Sequence, residues 1–299
     1  MMSMPMEGRG ILSLLGARMP GMRFLTPALL VLCLASTLTA QTPWRVTTEA
    51  TWHDNVTNAE RPQDLLTALQ WRSEVGRSFQ RVLTGGHRVG LTTSLRTDIW
   101  PQYEGLNAII PGFAGIWEYK PGLGPRVPVL GLAVQGEWSL GAESARTGLA
   151  GAGGLNLRQR VGTDWLLRAG YERRRFDARS LAFDSTSREW SGRIEWSGLA
   201  NWRLAGEARW RDGTVVSYSR PPRPDLELLG KKLTFVDTFE QSEPWLVYYF
   251  PGKTRSGALE LERIFDRASV VLRYEVRETL HAGPGYRNQR MTLRYSRGF

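Results

Sequence analysis

Three histidines are the side chains of this 299-residue chain best suited to acid–base catalysis near neutral pH. A hydrolase needs a histidine close to a serine or a carboxylate, and "WHDN" at 52–55 is the one segment in which a histidine, His53, adjoins an acid. Turn signals place His87 at a tight turn, and His53 and His281 near longer loops. A solvated loop histidine explains "WHDN" more simply than catalysis does. Metal-ligand spacings and phosphate-binding loops do not occur, so the sequence predicts no enzyme, no metal and no cofactor.

Arginine is the second residue type with chemical potential, because its guanidinium group binds carboxylates and other anions through paired hydrogen bonds. The chain has a net charge of +10, and its basic residues alternate with apolar ones instead of forming one basic run. Arg273 and Arg277, for example, alternate with Leu272, Tyr274 and Val276. A strand sends successive side chains to opposite faces, so this pattern gives one polar and one apolar face. A nucleic-acid partner is not predicted, because such proteins carry clustered basic patches.

The elements that carry this alternation are short and numerous. No stretch keeps a helical period, and the breaks between the segments alternate between short and long, except that "PGLGPRV" at 121–127 is a longer break on the short side. Both features are typical of outer-membrane barrels. The sequence therefore predicts an all-β fold, a closed antiparallel up-and-down transmembrane β-barrel of about 12 strands, with short periplasmic turns and longer extracellular loops. The predicted strands are 44–56, 68–81, 88–100, 108–119, 129–140, 149–161, 165–176, 188–196, 202–216, 248–264, 268–280 and 287–299.

The first forty residues differ from the rest of the chain. Two arginines precede the apolar run "PALLVLCLAS", and the small and polar residues of "TLTAQT" follow it. This order is typical of a secretory signal peptide, so we expect residues 1–40 to be removed and residues 41–299 to form the barrel. Met22 is an alternative start, because the sequence from there contains a whole signal peptide. Cleavage removes Cys33, the single cysteine, so the exported chain has no disulfide.

Tryptophan is expected to mark the two membrane interfaces, where amphipathic rings are favoured. Once each predicted strand has a direction, the aromatic residues fall near strand ends and on the apolar register. The belt at the short-turn ends contains Trp44, Trp117, Trp165, Trp196 and Trp202 with Tyr119 and Phe299, and the belt toward the long loops contains Trp52, Trp71, Trp100, Trp138, Trp190 and Trp210.

The last nine residues, "MTLRYSRGF", place apolar residues at alternate positions and end on an aromatic ring. This segment resembles the C-terminal strand of Gram-negative outer-membrane β-barrel proteins, without indicating a subfamily. The resemblance implies that the chain resides in the outer membrane, contacts its lipid and is recognised by the barrel-assembly machinery. Arg297 departs from the pattern, although an arginine there can extend to the lipid head groups. The residues that fit the assembly signal are Phe299, Tyr295, Leu293 and Met291.

The polar face of the strands is expected to line the lumen, and arginine is its commonest charged residue. If these arginines pair with the lumen carboxylates, the barrel is solid and structural. If some stay uncompensated, they line a passive small-solute channel that favours anions. Barrels of about eight strands are filled by side chains and those of about sixteen leave a channel, so size does not decide. The lumen arginines of interest are Arg96, Arg158, Arg168, Arg193, Arg209, Arg273 and Arg294.

Two other hypotheses belong to different classes. The first is a soluble secreted or periplasmic all-β binding protein, which would not need two aromatic belts. The second is an outer-membrane hydrolase that uses His53. The long segment 217–244 bears on the channel hypothesis, because loops of this length in compact folds are usually functional or disordered. We expect it either to fold inward over the barrel mouth or to extend its two flanking strands into a hairpin above the membrane.

Overall fold

A computed structural model describes residues 44–230, 232–236, 239, 245–280 and 285–299. The predicted signal peptide lies outside these residues. Within them, no helix is both long and apolar enough to span a membrane. The strands are β1 (Trp44–His53), β2 (Ala68–Val82), β3 (His87–Ile99), β4 (Ala108–Tyr119), β5 (Val129–Gly141), β6 (Gly148–Val161), β7 (Trp165–Ala178), β8 (Ser185–Trp196), β9 (Trp202–Ser219), β10 (Lys232–Val236), β11 (Trp245–Ile264), β12 (Ala268–Leu280) and β13 (Tyr286–Gly298).

Twelve of these strands form a closed antiparallel barrel. Each pairs with its neighbours in chain order, β9 pairs directly with β11, and β13 returns to pair with β1. The short β10 lies outside the barrel ladder and pairs only with the first residues of β11. Closure removes the free sheet edges that lipid could not hydrogen-bond. The prediction of a twelve-stranded up-and-down barrel is confirmed.

The two faces of the wall follow the predicted alternation. In β12, Leu272 is 45% exposed on the outer face, whereas Val271 is 1% exposed and points inward. Most predicted belt tryptophans are exposed on the outer face, as expected for rings at a membrane interface. Trp100 is the exception, because it follows the end of β3 on the inward register and its ring contacts that of His53 at 4.9 Å. The prediction that Trp100 belongs to the outer belt is wrong.

The connections differ in length between the two ends of the barrel. At the predicted periplasmic end, β6 and β7 are joined by a tight turn in which Gly162 has a φ of 67°, a conformation that suits glycine. At the other end, longer loops contain short 3₁₀ turns, and one short helix, α1 (Pro224–Leu229), lies between β9 and β10. Apart from the connection 120–128 between β4 and β5, which is long although it lies at the short-turn end, this asymmetry confirms the predicted layout of short turns and longer loops.

The C-terminal segment closes the barrel at the short-turn end. Phe299 donates its backbone N–H to the carbonyl of Trp44 at 2.9 Å, and its ring is exposed on the outer face. Met291, Leu293 and Tyr295 also face outward. The guanidinium of Arg297 lies 5.2 Å from the centre of the Phe299 ring, which accounts for an arginine at this position. The role of Met291, Leu293, Tyr295 and Phe299 as an assembly signal stays a prediction.

Candidate functional site

The seven arginines singled out from the sequence all line the lumen, and each has a carboxylate partner. Their partners lie on an adjacent strand, on the next strand but one, or two residues along the same strand. Each arginine is therefore neutralised by a carboxylate of the same part of the barrel wall. The N–O distances are 3.0 Å for Arg96–Glu137, 3.6 Å for Arg158–Glu118, 3.2 Å for Arg168–Glu195, 2.7 Å for Arg193–Glu260, 2.7 Å for Arg209–Glu207, 2.8 Å for Arg273–Glu207 and 3.9 Å for Arg294–Glu260.

Glu260 is the centre of the densest part of this network. Its carboxylate accepts both terminal nitrogens of Arg193, at 2.7 and 3.3 Å, and also Nη1 of Arg273 at 3.4 Å. The same Arg193 donates Nε to Glu195 at 2.7 Å. Such forked bonds hold guanidinium groups in fixed positions. Every lumen ion pair within the described ranges joins strands no further apart than next-but-one neighbours, so the network follows the wall and does not bridge the lumen.

A cavity of about 640 Å³ lies in the lumen toward the long loops, and we call it the outer chamber. Arg211, Arg277, Arg290, Tyr286 and Asn288 are among the residues that line it. Arg277 pairs with Glu275. In the part of the chain that the structure describes, neither Arg211 nor Arg290 has an ion-pair partner, and the buried Nε of Arg290 has no hydrogen-bond acceptor. Glu172 also lines the chamber without an ion pair among the described residues, so the two unpaired arginines leave the chamber with an excess of positive charge.

The lack of a partner for Arg290 has a local cause. Its register neighbour on β12 is Glu275, the nearest carboxylate by strand pairing. Glu275 already accepts hydrogen bonds from Arg273 at 3.1 Å and from Arg277, which stand two residues away on either side of it. One carboxylate is thus shared by two guanidinium groups on its own strand. The sequence places Arg290 in the lumen but does not indicate that its neighbour is occupied.

An apolar cluster covers the barrel mouth above the outer chamber. It consists of Ala182, Phe183, Tyr218, Phe239, Trp245 and Val247, which we call the mouth cluster. The ring of Phe239 meets Tyr218 edge-on at 4.8 Å and Trp245 at 5.2 Å. Arg146 caps it, lying 4.5 Å from the Phe183 ring and donating to the Tyr218 hydroxyl. Besides Phe239 from the segment between β9 and β11, side chains from four other long-side loops pack against it or belong to it, including Val56, Leu66, Tyr103, Leu106, Ala145 and Phe183.

The β1–β2 loop crosses the mouth and fastens to β9. Asn58 donates its side-chain amide to the carbonyl of Val216 at 3.0 Å, and Tyr218 donates its N–H to the carbonyl of Thr57, also at 3.0 Å. The fully buried Asp64 accepts the hydroxyl of Ser219 at 2.9 Å. These bonds link strands that are four places apart around the barrel. The β1–β2 loop therefore helps to cover the barrel mouth and is fixed to β9 by hydrogen bonds.

The long segment 217–244 combines the two predicted alternatives over its described residues. β9 continues to Ser219 and β11 begins at Trp245, so the flanking strands do extend into a hairpin. Phe239 nevertheless packs into the mouth cluster, as an inward fold requires. In α1, Arg223 donates to Asp225 at 2.6 and 2.9 Å, and this guanidinium holds the pKa of the Asp225 carboxyl at about 2.

His53 does not form a catalytic group with its acidic neighbour. His53 is 5% exposed at the long-loop end of β1, and its Nε2 lies 3.2 Å from Oε1 of Gln70. Asp54 instead accepts the backbone N–H of Gln289 at 2.6 Å. The prediction of a solvated loop histidine is wrong, because His53 ends on the inward register beneath Trp100. His87 lies at the periplasmic end against Tyr119, and His281 lies outside the described residues.

No protein-family model and no curated protein matches the chain. An outer-membrane channel from Pseudomonas putida F1 has 12% sequence identity and a TM-score of 0.56, over 86% of this chain and 95% of that one. The NanC porin has 8% sequence identity and a TM-score of 0.46, over 84% of this chain and 98% of that one. An anion-selective porin from Comamonas acidovorans has 8% identity and a TM-score of 0.40, over 87% of this chain and 99% of that one. The first similarity supports the barrel fold. The closed ladder and the apolar outer face with its exposed tryptophans are not those of a soluble binding protein, and they identify this chain as an outer-membrane-type β-barrel.

Proposed function

We propose that this barrel is a channel for small anionic solutes and that the mouth cluster restricts entry from outside. The observation that carries the proposal is the pair of uncompensated arginines, Arg211 and Arg290, in the outer chamber. Rings of basic side chains make a pore favour anions, and a charge that already has a partner contributes little to this. The paired arginines elsewhere in the wall therefore stabilise the barrel and contribute little to ion selectivity.

The course of the ion-pair network supports a channel over a solid barrel. The carboxylates that fix Arg193 and Arg273 lie on the same part of the wall, so their bonds leave the axis of the lumen unbridged. A second cavity, of about 410 Å³, lies toward the short-turn end and is lined by Arg158, Arg160 and Arg203. Basic side chains thus line cavities toward both ends of the lumen. The solved structure with a TM-score of 0.56 is itself an outer-membrane channel.

Ion selectivity in planar bilayers tests the role of the outer chamber. Under a gradient of KCl, we expect the wild-type zero-current potential to have the sign of chloride preference. Arg211→Gln combined with Arg290→Gln removes two positive charges without touching the paired network, so we expect the potential to move toward zero. Arg263→Gln is the matched control, because that guanidinium lies outside the lumen, 4.9 Å from the Trp202 ring. An unchanged potential in the double variant would contradict anion selection by this chamber.

Single-channel conductance tests the mouth cluster separately. Deletion of residues 222–243 removes α1, β10 and Phe239, so we expect a large rise in conductance with the barrel still inserted. Phe239→Ala leaves the backbone in place and should give a smaller rise. Heat-modifiable migration on gels verifies that both proteins are folded. If neither the wild type nor the deletion conducts, the structural-barrel hypothesis holds and the channel is refuted.

A further inference from the structure

The outer face of the barrel contains a groove of about 960 Å³ across β7, β8, β9 and β11, which we call the lipid-side groove. Its floor is one register row, in which Ala169 pairs with Gly192, Gly192 with Ala208, and Ala208 with Gly257. The volume falls within the range of about 300–1,000 Å³ that is usual for ligand pockets. Its apolar rim is formed by Leu157, Leu167, Ile194, Leu259, Tyr274 and Val276.

The space over this floor is open. A Cβ atom added to Gly192 or to Gly257 would meet no atom within 4 Å. The same row continues into Leu157 on β6 and Val276 on β12, where the wall regains its full thickness. The groove is therefore a local depression in an otherwise bulky apolar surface, at a depth where the barrel faces acyl chains.

Polar groups for a head group lie directly above the groove. The next outward row toward the long loops is Tyr171, Trp190, Trp210 and Arg255, with the Arg255 guanidinium 4.7 Å from the Trp210 ring. These are the ring types of a membrane interface. The row above it contains Arg173, Arg188, Asp212 and Lys253. Asp212 lies 3.9 Å from Arg188, so the two rows together carry an excess of positive charge.

We propose that the lipid-side groove binds an outer-leaflet lipid whose head group is an anionic phosphate, with no cationic group of its own. Its acyl chains occupy the depression over Ala208 and Gly257, and its phosphate contacts Arg173, Lys253 and Arg255. Charge complementarity favours this occupant over a second copy of the chain. A two-fold dimer through the same face would set each basic row against its own copy, since such an interface is self-complementary. An anionic lipid instead neutralises the row.

Lipid retention measured by native mass spectrometry of the full chain in detergent tests the apolar half of the site. The probes are dimyristoyl phosphatidic acid and dimyristoyl phosphatidylcholine. Gly192→Leu with Gly257→Leu fills the groove, so we expect about a tenfold weaker retention of phosphatidic acid. Gly151→Leu is the matched control, because that outward position on β6 is also open and lies outside the groove. Equal retention by the double variant and the wild type would overturn the proposal.

Charge variants test the head-group half. Arg173→Gln with Lys253→Gln should weaken retention of phosphatidic acid and leave that of phosphatidylcholine unchanged, because choline neutralises the phosphate of the second lipid. Equal loss of both lipids, or of neither, would refute recognition of an anionic head group. A wild-type dimer that disappears in Gly192→Leu with Gly257→Leu would instead assign the groove to an interface between copies of the chain. Heat-modifiable migration confirms folding of each variant, and none of these residues belongs to the outer chamber.

Discussion

The middle of the lumen and the outer chamber are lined by the same residue type in opposite circumstances. Arg193, in the middle, is forked onto Glu260 and bonded to Glu195. Arg290, in the chamber, faces a carboxylate that two other arginines already occupy. The guanidinium of Arg193 joins strands together, whereas that of Arg290 presents to the lumen a charge with no ion pair among the described residues. What an arginine does in this barrel is therefore decided by its neighbours on other strands, and not by the direction in which it points.

The two regions also differ in what closes them. The middle is held by ion pairs that follow the wall, and the chamber is covered by aromatic rings such as Phe239 and Trp245. Ion pairs lock strand positions through bonds of defined direction, whereas apolar contacts are non-directional. The mouth also has directed bonds, because Asn58 and Tyr218 fasten the β1–β2 loop to β9. On the proposed channel function, the apolar contacts of the mouth cluster are the ones that rearrange, while the ion pairs keep the wall rigid.

The largest expected effect comes from breaking the middle network. Glu260→Gln removes the charge that Arg193 and Arg273 share, and loss of one partner of a buried ion pair destabilises by about 3–5 kcal/mol. Urea unfolding in vesicles, followed by tryptophan fluorescence, measures this change. Arg290→Gln is the contrasting variant and should change the unfolding free energy by less than about 1 kcal/mol, because Arg290 has no ion pair with any described residue. Equal destabilisation by the two variants would show that the outer chamber, like the middle of the lumen, is stabilised by arginines with bound partners.

A guanidinium on the lipid side of the same wall sharpens the comparison. Leu272 is on the outer face of β12, next to Arg273, so Leu272→Arg places a charge in the hydrocarbon layer and should destabilise by about 2–4 kcal/mol. Gln135→Arg is the control, because Gln135 lines the outer chamber. It should unfold within about 1 kcal/mol of the wild type. Val271 is unsuitable as a control, since it is inward but tightly packed. Equal losses in both variants would mean that the facing of β12 is misassigned.

The sequence predicts the wall well because the period of two and the turn signals are local. All 13 residues of β12, for instance, can be assigned to a face by counting. The partners of those residues depend on register across the barrel, which is why the occupied Glu275 and the free Arg290 could not be foreseen. The row of small residues from Ala169 to Gly257 could not be predicted for the same reason, because strand register brings together residues that are far apart in the chain. His53 and Trp100 were misjudged because each stands where a strand becomes a loop.

The pairing of β1 with β13 has a consequence for how the barrel folds. The hydroxyls of Thr47 and Ser296 lie 3.2 Å apart across this seam although 249 positions separate them in the chain. Contacts between residues so distant in sequence form slowly, so we expect this seam to close late in folding. Until then β1 and β13 each present an unpaired edge, which is a template for pairing with foreign chains. The interval before the seam closes is thus the period in which this protein is most exposed to aggregation, and whatever shortens that interval protects it.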